Sequence, residues 1–165
     1  MSNETLFSES QKFKQIWLWL VLLGINGFFF FVIIKQAVGG QEIGDAGMLI
    51  GAWATMLVTA LFISFRLDTF IKKDGIYVRF FPLHIKFKYF AWNSLEKIFV
   101  RQYSPVKEYG GWGLRYSLFG KGKAYNISGN KGLQLEFTSG KKLLIGTNKP
   151  DELTETLIKI GRLKQ

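Results

Sequence analysis

Ile16-Trp-Leu-Trp-Leu-Val-Leu-Leu-Gly-Ile-Asn-Gly-Phe-Phe-Phe-Phe-Val-Ile-Ile34 and Ala46-Gly-Met-Leu-Ile-Gly-Ala-Trp-Ala-Thr-Met-Leu-Val-Thr-Ala-Leu-Phe-Ile-Ser-Phe65 hold 19 and 20 residues without one charged side chain. A helix of about 20 apolar residues, rising about 1.5 Å per residue, crosses the roughly 30 Å of bilayer hydrocarbon. Both stretches therefore read as transmembrane helices. Ala37-Val-Gly39 offers small residues where a signal peptide would be cut. The first apolar run is too long for a signal core, however, and Glu4 and Glu9 precede it, so it reads as a retained span. The link Lys35–Asp45 is short enough to make the spans antiparallel neighbours, with both chain termini on one side. Lys12 and Lys14 precede the first span and Arg66, Lys72 and Lys73 follow the second, whereas the link carries only Lys35. The positive-inside bias then places both termini in the cytoplasm. Trp17 and Trp19 sit at the headgroup level of the first span.

Composition changes at Arg66. Before it, Lys12, Lys14 and Lys35 are set against Glu4, Glu9, Glu42 and Asp45; the remaining 19 Lys and Arg against 8 acids give the last 100 residues a charge of +11. One hundred residues suffice for one small domain. With no cysteine in the chain, disulfides, thiolate metal sites and a Cys nucleophile are excluded. The expected organisation is an N-terminal segment (1–15), a first span (16–34), an extracytoplasmic link (35–45), a second span (46–65) and a cytoplasmic domain (66–165).

Within the second span Gly47, Gly51, Thr55 and Thr59 recur at i+4, a small-residue stripe that lets backbones approach. Asn26 is the one strongly polar residue near the middle of the first span. Matching the span centres sets it beside Thr55, where an interhelical hydrogen bond is expected. A second reading gives the stripe to a partner helix.

After Arg66 the hydrophobic period falls to two. Leu67–Lys72 leads into the Lys73-Asp74-Gly75 turn, a strong hairpin signal. Ile76, Val78 and Phe80 alternate on the next strand, then Ile85, Phe87 and Tyr89. If Pro82-Leu83 is a two-residue loop, Phe80 faces Ile85, Val78 faces Phe87, and the apolar sets share one face. After Trp92-Asn93-Ser94, Ile98 and Val100 point inward on a fourth strand. Shorter strands follow over Leu114–Leu118 and Lys123–Ile127, then Leu133–Phe137 and Lys142–Ile145. Pro150-Asp-Glu opens an amphipathic helix, with Thr147 or Asn148 as its cap and Leu153, Leu157 and Ile160 as its apolar stripe.

About seven antiparallel strands and then one amphipathic helix is the element order of a pleckstrin-homology (PH) barrel. With the hairpin before it and the Trp92 segment before the fourth strand, the chain resembles bacterial PH-like membrane proteins. The resemblance implies a mainly-β PH-like barrel behind a two-helix transmembrane hairpin in a bacterial cell membrane, and carries no catalytic residue.

Two constellations stand out. Arg79, Lys86, Lys88, Lys97 and Arg101 are expected on one outward face, with Arg79 opposite Lys86. Like charges so opposed destabilise a sheet. With Arg66, Lys72 and Lys73 they make a candidate surface for anionic lipid headgroups. Phe81, Phe90, Phe99 and Tyr103 share that face and would suggest nucleic-acid stacking in a free protein; tethering points to a bilayer, and no nucleic acid is expected. The second constellation is Tyr109, Gly110, Gly111, Trp112 and Arg115 with Tyr125, Asn126 and Asn130. It reads as a partner-binding pair of loops or as a structural bulge and hairpin turn.

His84 is the only histidine, with no carboxylate cluster around it. Neither a common zinc site nor a nucleophile elbow can be assembled. The expectation is a non-enzymatic module without cofactor, binding or scaffolding at the cytoplasmic membrane surface through anionic-lipid or protein contacts. The alternative is an accessory subunit of a membrane enzyme or transporter. A membrane-protein partner or self-association is compatible with either.

Overall fold

The computed structural model describes residues 4–39, 46–117 and 120–163. It divides into a hairpin unit, Lys14–Ser64, and a sheet unit built from the residues on either side.

The hairpin unit holds α1 (Ile16–Val38) and α2 (Ala46–Ser64), both long and apolar enough to cross a bilayer. α1 runs four residues beyond the expected end of the first span; of the link, residues 40–45 lie outside the described residues. In α1, Leu22 is buried and Asn26, Phe29 and Ile33 are half-buried; in α2 the half-buried positions are Met48, Gly51, Ala52, Thr55, Thr59 and Phe62. That spacing is one helical face on each. The small-residue stripe thus faces α1, and a Cβ on Gly51 would lie 2.9 Å from Cζ of Phe29. Gly47, at the stripe's start, is exposed. Asn26 Nδ2 donates to Thr59 Oγ1 at 2.9 Å and to the Leu22 carbonyl at 2.7 Å. The expected partner, Thr55, lies one turn away and donates its hydroxyl to the Ala52 carbonyl instead.

The sheet unit contains two sheets. The first has the order β1 (Thr5–Lys12), β2 (Arg66–Lys72), β3 (Gly75–Phe81), β4 (Lys88–Ala91). The other strands are β5 (Leu95–Gln102), β6 (Gly113–Tyr116), β7 (Lys123–Asn126), β8 (Lys131–Phe137) and β9 (Lys142–Gly146), arranged β5-β8-β9-β7-β6. A short α3 (Pro105–Tyr109) precedes β6, and α4 (Pro150–Lys159) ends the fold. The expected all-antiparallel pairing is corrected at one place, where β7 pairs with β9 in parallel. Among the described residues the strands form two sheets with no closed barrel.

The N-terminal segment is the larger departure. β1 pairs along β2, from Thr5↔Lys72 to Lys12↔Arg66, so the residues before the first span belong to the domain that follows the second. Its inward side chains are Phe7, Glu9 and Gln11. Two of the three are polar, which hides a period-two strand from hydropathy. Glu9 accepts from Thr147 Oγ1 (2.6 Å) and from the Asn148 amide (2.8 Å), and Gln11 Nε2 donates to the Gly146 carbonyl (2.7 Å). Buried polar groups need partners, and these bonds tie β1 to the end of β9. Thr147 is thereby engaged, and neither it nor Asn148 caps α4 through its side chain.

Between the sheets lies one core, with Leu67, Ile71, Ile76, Val78, Ile98, Leu133, Leu135 and Ile145 at 0–1 % exposure. Leu153 and Leu157 of α4 complete it, as their i,i+4 spacing expects.

Strand β4 lies one residue from its expected register. Val78 pairs with Lys88, not Phe87, and the turn from Pro82 runs through Phe87. A one-residue slip exchanges the faces of a strand. Phe90, expected outward, packs on the core, while Ile85 and Phe87 are exposed. Tyr103 is likewise buried.

Candidate anion-binding cavity

The expected basic face does not form. β4 and β5 lie in different sheets, and two of its arginines are paired with acids. Asp68 sits opposite Arg79 across β2–β3. It accepts from Arg79 Nε (3.1 Å) and Nη2 (2.7 Å) and from Ser10 Oγ (2.7 Å), and Arg66 Nε lies 3.0 Å from the same carboxylate. Arg101 makes a two-pronged contact with Glu108 (3.3 and 2.9 Å), which also holds Lys121 (3.1 Å). Burial alone would raise the Glu108 pKa, but Arg101, the Ser104 amide and Lys121 together hold it down at about 2. Lys73 pairs with Glu4, and Lys72 lies over the Tyr77 ring. Lys86 and Lys97 are exposed. A like-charged strip becomes a set of local neutralisations.

The glycine-rich segment spends its polar groups internally. Gly110 takes the left-handed conformation that ends α3, with φ at 72°. Asn126, fully buried, accepts from the Gly113 amide (2.9 Å) and donates to the Tyr103 hydroxyl (3.0 Å). Trp112 Nε1 donates to the Gly129 carbonyl at 3.2 Å, and Arg115 Nε to the Trp112 carbonyl at 3.0 Å. Tyr109 is buried with its hydroxyl against Arg101. Gly111 is half-buried, and the exposed Asn130 accepts through its carbonyl from the Tyr103 amide. The geometry is that of a bulge anchored to a hairpin turn. Tyr125 departs from this group and belongs to a different feature.

That feature is a cavity of about 680 Å³ in the sheet unit, walled by Lys88 and Phe90 of β4, Tyr116 of β6, Lys123 and Tyr125 of β7, and the β8–β9 turn from Phe137 to Leu143. Local chemistry builds it. Gly122, before β7, has φ at 80°, and a Cβ there would collide with the Lys142 backbone, so only glycine lets this turn close on β9. Phe90 and Phe137 meet edge to face at 5.4 Å. Lys88 Nζ donates to the Tyr125 hydroxyl at 2.9 Å, and Lys123 Nζ lies 4.9 Å above the Tyr116 ring. Lys141 and Lys142 come from the far wall, and Lys142 pairs with Glu136 at 2.9 Å. Among the described residues, four lysines and no carboxylate line the cavity. His84, packed on the Tyr125 ring at 5.3 Å, reports the local field: burial first, then the charges of Lys88 and Lys123, push its pKa down. Among the described residues no cluster of histidines and carboxylates could hold a metal ion.

Of the earlier candidates, only Lys88 and Tyr125 line this cavity. Sequence reasoning missed Phe90 as a wall, and Tyr116, Lys123, Phe137, Lys141 and Lys142 altogether. The available signal was Lys-Gly-Lys123 and the Lys141-Lys142 pair, two basic turns that a parallel β7–β9 pairing brings together.

Residues 3–161 match the model of a family described as "Family of unknown function (DUF6141)". The chain belongs to that family. The match covers both units. Comparison with curated proteins gives no significant match.

Proposed function

We propose that the chain is a membrane-anchored binding module that works at the cytoplasmic membrane surface by engaging an anionic group, of lipid-headgroup type, in the lysine-lined cavity. The observation that carries this reading is four lysines around aromatic walls with no lining carboxylate. Such a cavity suits an anion joined to an apolar body: ammonium groups meet the charge, and Phe90, Tyr116 and Phe137 meet the rest. Each basic residue near an anionic leaflet contributes about 1 kcal/mol. Two apolar helices supply the membrane setting. The lysine distribution around them favours cytoplasmic termini, and β1–β2 pairing accords with both spans ending on one side. Two sheets and a C-terminal helix are compatible with the PH-like resemblance, and a bacterial membrane is implied by that resemblance alone. The accessory-subunit reading loses the stripe it drew on, because that stripe faces α1.

Amine-reactive labelling of the full chain in nanodiscs tests this. Lys88, Lys123 and Lys141 should be protected in discs containing phosphatidylglycerol, and labelled in pure phosphatidylcholine or at high salt. Exposed Lys97 serves as the unprotected control. Equal labelling of the cavity lysines in both lipids would refute the reading.

A further inference from the structure

The β3–β4 turn carries the only stretch of the sheet unit where apolar residues are displayed together among the described residues. Leu83 is 59 % and Ile85 77 % exposed. Isolated exposed leucines are ordinary, but two in three positions, beside an exposed Phe87, form a patch. The turn is not loose. The His84 amide donates to the Phe80 carbonyl at 2.7 Å, and its ring packs on Tyr125. Phe87 packs on Phe70 at 5.4 Å, with the Arg79 guanidinium 4.4 Å from its ring centre. Both flanks are pinned, and the two aliphatic side chains between them are left outside.

Topology says where this turn emerges. β2 runs antiparallel to both β1 and β3, so the last residue of β1, the first of β2 and the last of β3 share one end of the sheet: Lys12↔Arg66↔Phe81. The chain passes to α1 through Phe13–Gln15 and returns from α2 through Phe65 alone. Both covalent connections to the apolar helices leave from the end of the sheet that also carries the Pro82–Phe87 turn. The Lys73-Asp74 turn lies at the opposite end. Phe13, Phe65 and Phe80 form an aromatic cluster at the first end, with centroids 5.9 and 5.8 Å apart.

We propose that Leu83 and Ile85 form an interfacial wedge that dips into the lipid bilayer at headgroup depth, with Lys86 beside them meeting the phosphates. The occupant is the membrane to which the same chain is tied, so the inference rests on the membrane reading above but is independent of the cavity. Aliphatic side chains flanked by lysines are the combination that the membrane interface favours. The wedge would hold the sheet unit in one orientation on the bilayer.

The absence of cysteine makes a clean test possible. Single variants L83C, I85C, K73C and F30C of the full chain, labelled with an environment-sensitive fluorophore, are placed in nanodiscs containing shallow or deep spin-labelled lipid. Labels at 83 and 85 should be blue-shifted and quenched several-fold more by the shallow spin label than the label at 73. Strong quenching at 30 with water-like emission at 83 and 85 would overturn the wedge alone. Water-like emission at 30 would sink the membrane reading itself. Blue-shifted but unquenched labels at 83 and 85 would mean a protein surface covers them, and would also refute the proposal. L83S/I85S, at exposed positions, should remain folded and should loosen the orientation, read as renewed proteolysis or labelling around the turn; no change would count against the wedge.

Discussion

The two units sort similar side chains in opposite ways. In the hairpin, Phe30 and Trp53 are 66 % and 72 % exposed and Leu22 alone is buried among the described residues; in the sheet unit Leu67, Ile71 and Ile76 are at 0 %. Exposed apolar surface of that extent is unfavourable in water and compatible with lipid, the solvent proposed for these two helices. Polar groups divide the same way. The hairpin has an interhelical side-chain bond near its middle, whereas the sheet unit buries Asp68, Glu9 and Asn126 in hydrogen bonds to several partners. The comparison also isolates Leu83 and Ile85, which belong to the sheet unit by sequence and to the hairpin by exposure.

The contrast breaks most sharply at Asp68. This carboxylate is 6 % exposed and serves Arg79, Arg66 and Ser10. Asp68→Ala leaves two arginines adjacent without compensation. Breaking a fully buried pair costs about 3–5 kcal/mol, and the partial exposure of both arginines reduces this to about 2–3 kcal/mol. Denaturant unfolding of the sheet unit in detergent should show that loss while α1 and α2 keep their helicity. A loss below about 0.5 kcal/mol would class the cluster with surface ion pairs.

Glu108 gives the next effect, with a sign fixed by its pKa. The folded value, about 2, lies below the ordinary 4.5. Its stabilisation is therefore complete above about pH 4.5 and disappears as pH falls toward 2. Glu108→Gln should cost about 2 kcal/mol at pH 7. It should also flatten the stability curve between pH 4.5 and 2 relative to the native chain. An acid limb as steep as the native one would assign that limb to groups other than Glu108.

The two units were unequally legible from sequence. The two apolar helices could be read because an unbroken apolar run of this length needs no knowledge of neighbours. The order of strands from Arg66 onward was legible from period two and turn chemistry, and the α4 stripe at Leu153 and Leu157 from its i,i+4 spacing. Three things were hidden, each because it depends on a distant partner. β1 presents Glu9 and Gln11 inward, and their partners lie on β9 and just beyond it. The β4 register could not be settled by hydropathy, because Phe80 and Phe81 supply aromatics to both faces and either register buries some. The cavity is made of lysines and aromatics from β4, β6, β7 and the β8–β9 turn, and the parallel β7–β9 contact that gathers them has no local signal.

The smallest expected effect lies in the hairpin, at Asn26. Its amide donates to Thr59 Oγ1, whose own hydroxyl donates to the Thr55 carbonyl at 2.8 Å. In hydrocarbon an interhelical bond of this kind is worth on the order of 1 kcal/mol, because the separated helices also find partners for their polar groups. Asn26→Leu removes the donor and leaves Thr59 still satisfied by the backbone. The expected loss in hairpin stability, measured by steric trapping or by helix separation in mild detergent, is therefore about 1 kcal/mol. Thr59→Val should lose a similar amount, and the double variant little more than either alone, since both remove the same bond. Thr55→Val should cost less, because its hydroxyl bonds only within α2. If Thr55→Val proved the costlier change, the helices would pack one turn away from the register described, with Asn26 beside Thr55.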